Sequence, residues 1–248
     1  CPTKVPGVTY MQDVTNANLA AVLASMDMNE QYYLRDKRDE TPYCVSKLDD
    51  GSETGTLWMA QNLRIQGTIS AALSNFDGED FNVSEYDLKT DGANGGVCNG
   101  DSGENHVCSH IPEASEIPSG KTAEDIGAWY NYMATTAGTI SGDFNSRTAT
   151  QDICPANWHL PSYSTTNMVG SIQSLINSGS SAIKTAFSPV RGGNYGNGTI
   201  DRAYDGNWWT STPYPDYRYY LYYSGDSLSS SSKFRYYGMY IRCVRTAN

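Results

Sequence analysis

Six cysteines, at positions 1, 44, 98, 108, 154 and 243, are spread along 248 residues without a single C-x-x-C pair. That spacing argues against a zinc ribbon or a thioredoxin-type redox site, both of which need two thiolates within one turn. An even number so placed points to disulfides, and so to an exported protein folded in an oxidising compartment. Six cysteines allow fifteen pairings, which spacing alone does not decide. Cys98 and Cys108 flank a Gly/Asn-rich loop of nine residues that closes easily on itself, so that pair is favoured. The competing reading is a set of free buried thiols in a cytosolic protein, since unpaired Cys packs as a small hydrophobe. Cys1 is also the place where a lipoprotein would carry its lipid.

Hydrophobic residues make up 39% of the chain and charged residues 18%, enough apolar material for one core. No stretch approaches 18 consecutive apolar residues, and the first residues lack the basic-then-apolar order of a signal peptide. A soluble, mature chain without a transmembrane segment is therefore expected. The net charge of −10 is concentrated: from Asp77 to Asp125 there are twelve acids against two bases, while the remaining 199 residues carry fifteen of each. With no basic patch to neutralise phosphates, nucleic acid is excluded as a partner, and an anionic membrane surface is disfavoured on the same ground.

Leu19, Val22, Leu23 and Met26 share one face at helical spacing after Thr15 or Asn16 as N-cap, predicting a first helix. Short extended runs between Arg35 and Leu48, then Asp49-Asp50-Gly51-Ser52 leading into Thr56-Leu57-Trp58-Met59, read as a hairpin. Residues 66–121 have few apolar anchors and read as a long polar insertion held by local turns. Thr122 opens a helix continuing through Ile126, Trp129, Tyr130 and Met133 to a stop at Gly138. A second such stretch runs from Asn167 to Ile176, after a rigid Pro155–Pro161 turn. From Arg191 onward glycines and aromatics alternate without helical period, predicting short strands. The class is α+β with the β part last.

Between Asn194 and Tyr240, 47 residues, there are eleven Tyr, seven Ser, four Asp and three Asn. Tyr supplies large stiff contact area with a polar tip, and Ser and Asn supply adaptable hydrogen bonds, which is the alphabet of binding loops selected for affinity. A polar β-rich tail with half-buried tyrosines is the bland alternative.

No catalytic constellation stands out. His106 and His110 lie near Cys98 and Cys108, but their spacing fits no established zinc pattern. His159 follows Trp158 in a Pro-bounded turn and reads as structural. Arg191-Gly192-Gly193 is too short for a phosphate loop. Neither a cofactor nor a catalytic metal is expected. Calcium is the one ion the glycine-rich loop with Asp91, Asn94, Asn99, Asp101 and Glu104 could take, although the EF-hand register is missing.

Taken together, Arg35-Asp36-Lys37-Arg38-Asp39, Tyr43 to Leu48 and Trp58-Met59-Ala60-Gln61-Asn62-Leu63 resemble the opening of the Fibrobacter-type major paralogous domain. Tyr130-Asn131-Tyr132, Cys154-Pro155-Ala156-Asn157-Trp158-His159-Leu160-Pro161, Trp208-Trp209-Thr210-Ser211-Thr212 and Ile241-Arg242-Cys243-Val244-Arg245 look like its later landmarks, in order. The resemblance spans residues 35–245, outside the insertion, and leaves 1–34 as an N-terminal segment with one helix. It implies a C-type-lectin-like domain over 35–248, with two helices around a twisted antiparallel sheet and Cys154 paired with Cys243. Residues 191–245, Tyr- and Ser-rich and framed by Trp-Trp and Arg-Cys, look like the variable proteins of diversity-generating retroelements, in which adenine-directed mutagenesis diversifies a ligand-binding surface. The chain has no E-P-N, Q-P-D or W-N-D triplet, so the calcium-dependent sugar site of lectins is not implied. The paired active-site cysteines of the formylglycine-generating oxidases that share this architecture have no counterpart either.

The resulting expectation is a secreted or cell-surface, non-enzymatic binding protein for a protein or surface ligand. An exported structural or carbohydrate-associated module with a fixed surface is the alternative, and a copper-dependent oxidase of the formylglycine-generating type is a distant third. In Tyr217–Ser224 strand alternation puts Leu221, the only aliphatic residue, inward with Tyr217, Tyr219 and Tyr223. Arg218, Tyr220, Tyr222 and Ser224 are then expected to be exposed at the centre of the site. Tyr195, Tyr204, Asp205, Tyr214, Asp216, Asp226, Tyr236 and Tyr237 are expected around them from neighbouring loops.

Overall fold

The computed structural model describes residues 1, 3–70, 73–75, 85–90, 108–136, 151–164, 168–196, 199–214 and 217–246. It is a mixed α+β protein with short helices and several sheets. A two-residue strand, β1 (Thr3–Lys4), precedes helix α1 (Leu19–Ala24). Leu19, Val22, Leu23 and Met26 are all buried on its inner face, as their spacing predicts. The helix starts later than expected, with Asn18 at the N-cap instead of Thr15 or Asn16. The Asn18 carboxamide closes the preceding turn: its Oδ1 accepts from the Thr15 N–H at 2.8 Å, and its Nδ2 donates to the Asp13 carbonyl at 2.8 Å.

Strands β2 (Gln31–Arg35), β3 (Pro42–Leu48), β4 (Thr56–Met59) and the last strand, β14 (Val244–Arg245), join β1 in one sheet of order β1-β2-β3-β4-β14. The chain's first and last strands thus lie at the two edges of the same sheet. The β3–β4 hairpin matches the sequence expectation, with Leu48 opposite Thr56. Described parts of the 66–121 segment do more than turn locally. Strands β5 (Gly67–Ser70), β6 (Glu85–Thr90) and β7 (Cys108–His110) build a four-stranded sheet with β8 (Trp129–Tyr130).

The single helix expected from Thr122 to Gly138 is instead three pieces. Helix α2 (Ala123–Ile126) is held by a capping box between Thr122 and Asp125 and stops at Gly127. There φ is +77°, and a Cβ would sit 2.7 Å from the Asn62 Cβ, so only glycine lets the chain pass this close to its neighbour. Strand β8 follows, and then helix α3 (Tyr132–Thr135), capped by the Asn131 side chain. Gly138 lies outside the described residues. Helix α4 (Met168–Asn177) is where its periodicity predicts. Helix α5 (Ser181–Phe187) was not foreseen: the Ser180 side chain caps it, and Ile183, Ala186 and Phe187 bury its inner face. The chain continues through a small hairpin, β9 (Asn194–Gly196) and β10 (Thr199–Asp201). A three-stranded antiparallel sheet follows: β11 (Gly206–Tyr214), β12 (Tyr217–Ser224) and β13 (Ser227–Lys233).

Among the described residues, two disulfides tie this together. Cys154 joins Cys243 with the Cα atoms 5.7 Å apart, as the resemblance implied. Closing 89 residues of sequence stabilises by about 4–5 kcal/mol in the chain-entropy model. Cys1 joins Cys44, with the Cα atoms 5.7 Å apart. The Cys98–Cys108 pair expected from spacing lies outside the described residues.

The two main apolar clusters meet at Asn62, a residue of the W-M-x-x-N-L motif. Asn62 is fully buried; its Oδ1 accepts from Trp208 Nε1 at 2.8 Å and from Arg242 Nε at 2.9 Å, and its Nδ2 donates to the Ile126 carbonyl at 2.7 Å. Arg242 also donates to the Phe187 and Ser188 carbonyls, with its guanidinium 4.9 Å from the ring centres of both Phe187 and Trp208. Burial pushes its pKa down to about 9, so it still carries its charge at neutral pH among carbonyls and π-faces.

Candidate functional site

Strand β12 is the centre of the candidate surface, and its register fixes which side chains share a face. Leu221 and Tyr223 point with Trp208 and Leu228 into the core beneath α4. On the opposite face lie Arg218, Tyr220, Tyr222 and Ser224, beside Asn207 and Trp209 of β11 and Ser227, Ser229, Ser231 and Lys233 of β13. Leu221 therefore marks the core face, as its aliphatic character predicts.

The opposite face is not free, which corrects the expected exposure. Arg218 is 2% exposed and Tyr220 4%, because Tyr132 of α3, Trp209 and Met239 form a small third core against them. The Arg218 guanidinium lies 5.2 Å from the Tyr132 ring centre, and Tyr220 meets Trp209 edge-on with ring centres 6.3 Å apart. Burial pushes the Tyr220 hydroxyl pKa up, and neighbouring Tyr222 and Asp205 add to the rise. Tyr222 and Ser224 are half-buried and border solvent, while Tyr217 and Tyr219, expected inward, are half-buried too. A strand whose two faces are both partly covered cannot be sorted by alternation alone.

The surrounding residues divide in the same way. Tyr195 is buried, its ring stacked on His110 with centroids 3.8 Å apart, and Asp205 is buried at the start of β11. Both are corrections to the expectation that they line an open site. Tyr204 is 67% exposed, Asp226 is exposed at the β12–β13 turn, and Tyr236 and Tyr237 are half-buried. Tyr214 ends β11, and Asp216 lies outside the described residues.

What the sequence reading missed is the aromatic row that continues the surface. Phe234 packs on Tyr217 at 4.7 Å and stacks on Tyr236 at 5.4 Å, and Tyr236 stacks on Tyr237 at 4.8 Å. Lys233 extends the row: its Nζ sits 4.3 Å from the Tyr237 ring centre and donates to Asp201 at 3.1 Å and Asn194 at 3.3 Å. The available signal was the apolar Phe234, one residue beyond the serine run and next to Lys233.

Polar capacity lies beneath this surface. Both amide atoms of Asn207, one carboxylate oxygen of Asp205 and the Asn194 amide nitrogen are buried without a hydrogen-bond partner among the described residues. Such atoms are uncommon in folded proteins, and here they cluster around β9 and β11.

Elsewhere, His110 Nε2 sits 2.8 Å from Glu116 Oε2, and His106 lies outside the described residues. His159 is structural: its main chain pairs with Val244, and its Nε2 is 2.9 Å from Thr246 Oγ1. The oxygen-rich set Asp91, Asn94, Asn99, Asp101 and Glu104 also lies outside the described residues. No helix among the described residues is long and apolar enough to cross a membrane. Compared with family models, curated proteins and solved structures, the chain matches none.

Proposed function

We propose that this chain is a non-enzymatic, exported binding protein that displays a diversified Tyr/Ser/Asp/Asn-rich surface on a C-type-lectin-like scaffold, in the manner of the variable proteins of diversity-generating retroelements. The observation that carries this reading is the division of labour within residues 194–245. Trp208, Trp209, Leu221, Tyr240, Arg242 and Cys243 are buried framework, while Tyr204, Tyr222, Asp226, Tyr236, Tyr237 and the serines of β13 border solvent. Stiff aromatic area beside adaptable hydroxyls is how a binding surface accepts many ligands without rebuilding its frame. The pairing of Cys154 with Cys243 and the sharing of one sheet by the first and last strands support the scaffold part of the reading. Two disulfides support export.

Sequencing the DNA around the gene tests the reading. The expected result is a near-copy of the segment encoding the display residues, differing at adenines, beside a reverse transcriptase gene. Absence of any such repeat overturns the diversification. The second reading, a fixed carbohydrate-associated surface, then stands on the stacked row of Phe234, Tyr236 and Tyr237, a platform suited to the flat faces of sugar rings.

A further inference from the structure

Strand β13 offers an edge that the display surface does not use. The Leu228 N–H donates to Asn177 Oδ1 at 2.9 Å, and the Leu228 carbonyl accepts from Asn177 Nδ2 at 2.9 Å. The main chain of Leu228 therefore points away from β12, and the carboxamide of Asn177 pairs with it as a neighbouring strand would. In an antiparallel ladder this orientation alternates, so Ser230 and Ser232 also turn their N–H and C=O outward, while Ser227, Ser229, Ser231 and Lys233 bond to β12. Among the described residues no main-chain group pairs with Ser230 or Ser232.

Natural edges are guarded by charges, proline, bulges or shortness. This one has none of these along Ser229–Ser232: its register with β12 is unbroken from Ser227 to Lys233, and its side chains are small and neutral. Its single charge, Lys233, is turned onto Asp201, Asn194 and the Tyr237 ring.

We infer that the outer edge of β13 pairs with the same edge of a second copy of this chain. Of the two registers that set Ser230 opposite an outward-facing serine of the second copy, one is open. Placing Ser230 opposite Ser230 of the second copy sets Ser232 against Leu228, whose main chain Asn177 already occupies. Placing Ser230 opposite Ser232 of the second copy, with the two-fold axis at Ser231, forms a full set of main-chain bonds with hydroxyls facing hydroxyls and no like charges opposed. A foreign extended peptide fits less well, because a serine edge has no alternating pockets to select its side chains.

The pairing yields one six-stranded sheet in which both display faces point the same way. The two Tyr220 side chains then stand about 14 Å apart, three strand spacings. That consequence for ligand capture rests on the proposed function; the dimer itself does not.

Sedimentation equilibrium of the disulfide-intact chain, from ~1 μM to ~500 μM to cover weak association, tests the inference. The expected result is a reversible rise from the monomer mass toward twice that value. Ser230→Pro removes an outward N–H that no native bond uses. It should leave the far-UV spectrum and urea midpoint in place while weakening association about 10–30-fold, through two lost main-chain bonds per dimer. The double variant Ser230→Asp/Ser232→Asp, which keeps the main chain intact and opposes like charges, should do the same and serves if the proline variant does not fold. A monomer at every concentration, or a dimer unchanged by both variants, overturns the inference. Absence of the adenine-directed repeat does not affect it.

Discussion

Replacing Asn62 by Ala tests whether the junction of the two main cores is as exacting as its geometry implies. Three groups lose their partner at once: Trp208 Nε1–H, Arg242 Nε–H and the Ile126 carbonyl. Asn62 is fully buried, so water does not take over readily. A buried neutral donor or acceptor left unmet costs about 1–3 kcal/mol, and a charged one more. Arg242 keeps its bonds to Phe187 and Ser188, which limits its share. The combined loss comes to about 4–6 kcal/mol, a large part of the roughly 5–15 kcal/mol by which domains are stable. Urea unfolding under non-reducing conditions reads this as a fall in midpoint with unchanged slope. Asn62→Asp retains an acceptor for both donors and sets a counter-charge beside Arg242, so it should cost less than Asn62→Ala. A loss below about 1.5 kcal/mol for the alanine variant, or an aspartate variant that is the worse of the two, would refute the reasoning, since one unmet buried group alone accounts for that much.

Tyr220→Ala should cost about 3–5 kcal/mol of stability by emptying part of the third core, whereas Tyr222→Ala at the solvent border should cost about 1 kcal/mol or less. Equal midpoints for the two variants in urea would show that the third core does not hold β12. The Asp152 carboxyl is pushed up to about 6 by burial, against the pull of hydrogen bonds from the Leu160 and Cys154 N–H groups and of nearby His159. Its folded pKa lies above the ordinary 3.8, so the folded state takes up the proton first. This contribution is complete below about pH 4 and is lost as pH rises to about 6, amounting to roughly 3 kcal/mol. Urea midpoints across that window should fall more steeply for the wild type than for Asp152→Asn, and parallel profiles would contradict the assignment.

Local pattern carried the sequence reading wherever one face of an element meets one core. Leu19, Val22, Leu23 and Met26, the β3–β4 hairpin and α4 are of that kind. It failed where a distant residue decides. The helix from Thr122 breaks at Gly127 because Asn62, far away in sequence, crowds that backbone. The outer face of β12 closes because Tyr132 and Met239 reach it from other elements, so the composition of the Tyr-rich stretch located the candidate surface but not which tyrosines border solvent. Asn62 belongs to a motif legible in the sequence, yet its three partners come from α2, β11 and the segment before β14, and no local spacing announces that set.

The closing role of residues 241–245 makes the fold a proofreader of everything encoded between Asn194 and Tyr240. Arg242 locks Asn62, Cys243 locks Cys154, and Val244 pairs with Trp58 at the far edge of the first sheet. A reading-frame shift or premature stop anywhere in that stretch removes all three together. An in-frame substitution at a solvent-bordering position of that stretch, such as Tyr204, Tyr222 or Asp226, leaves them untouched. Misread chains therefore lose the closure altogether, while chains that differ only at solvent-bordering positions keep it.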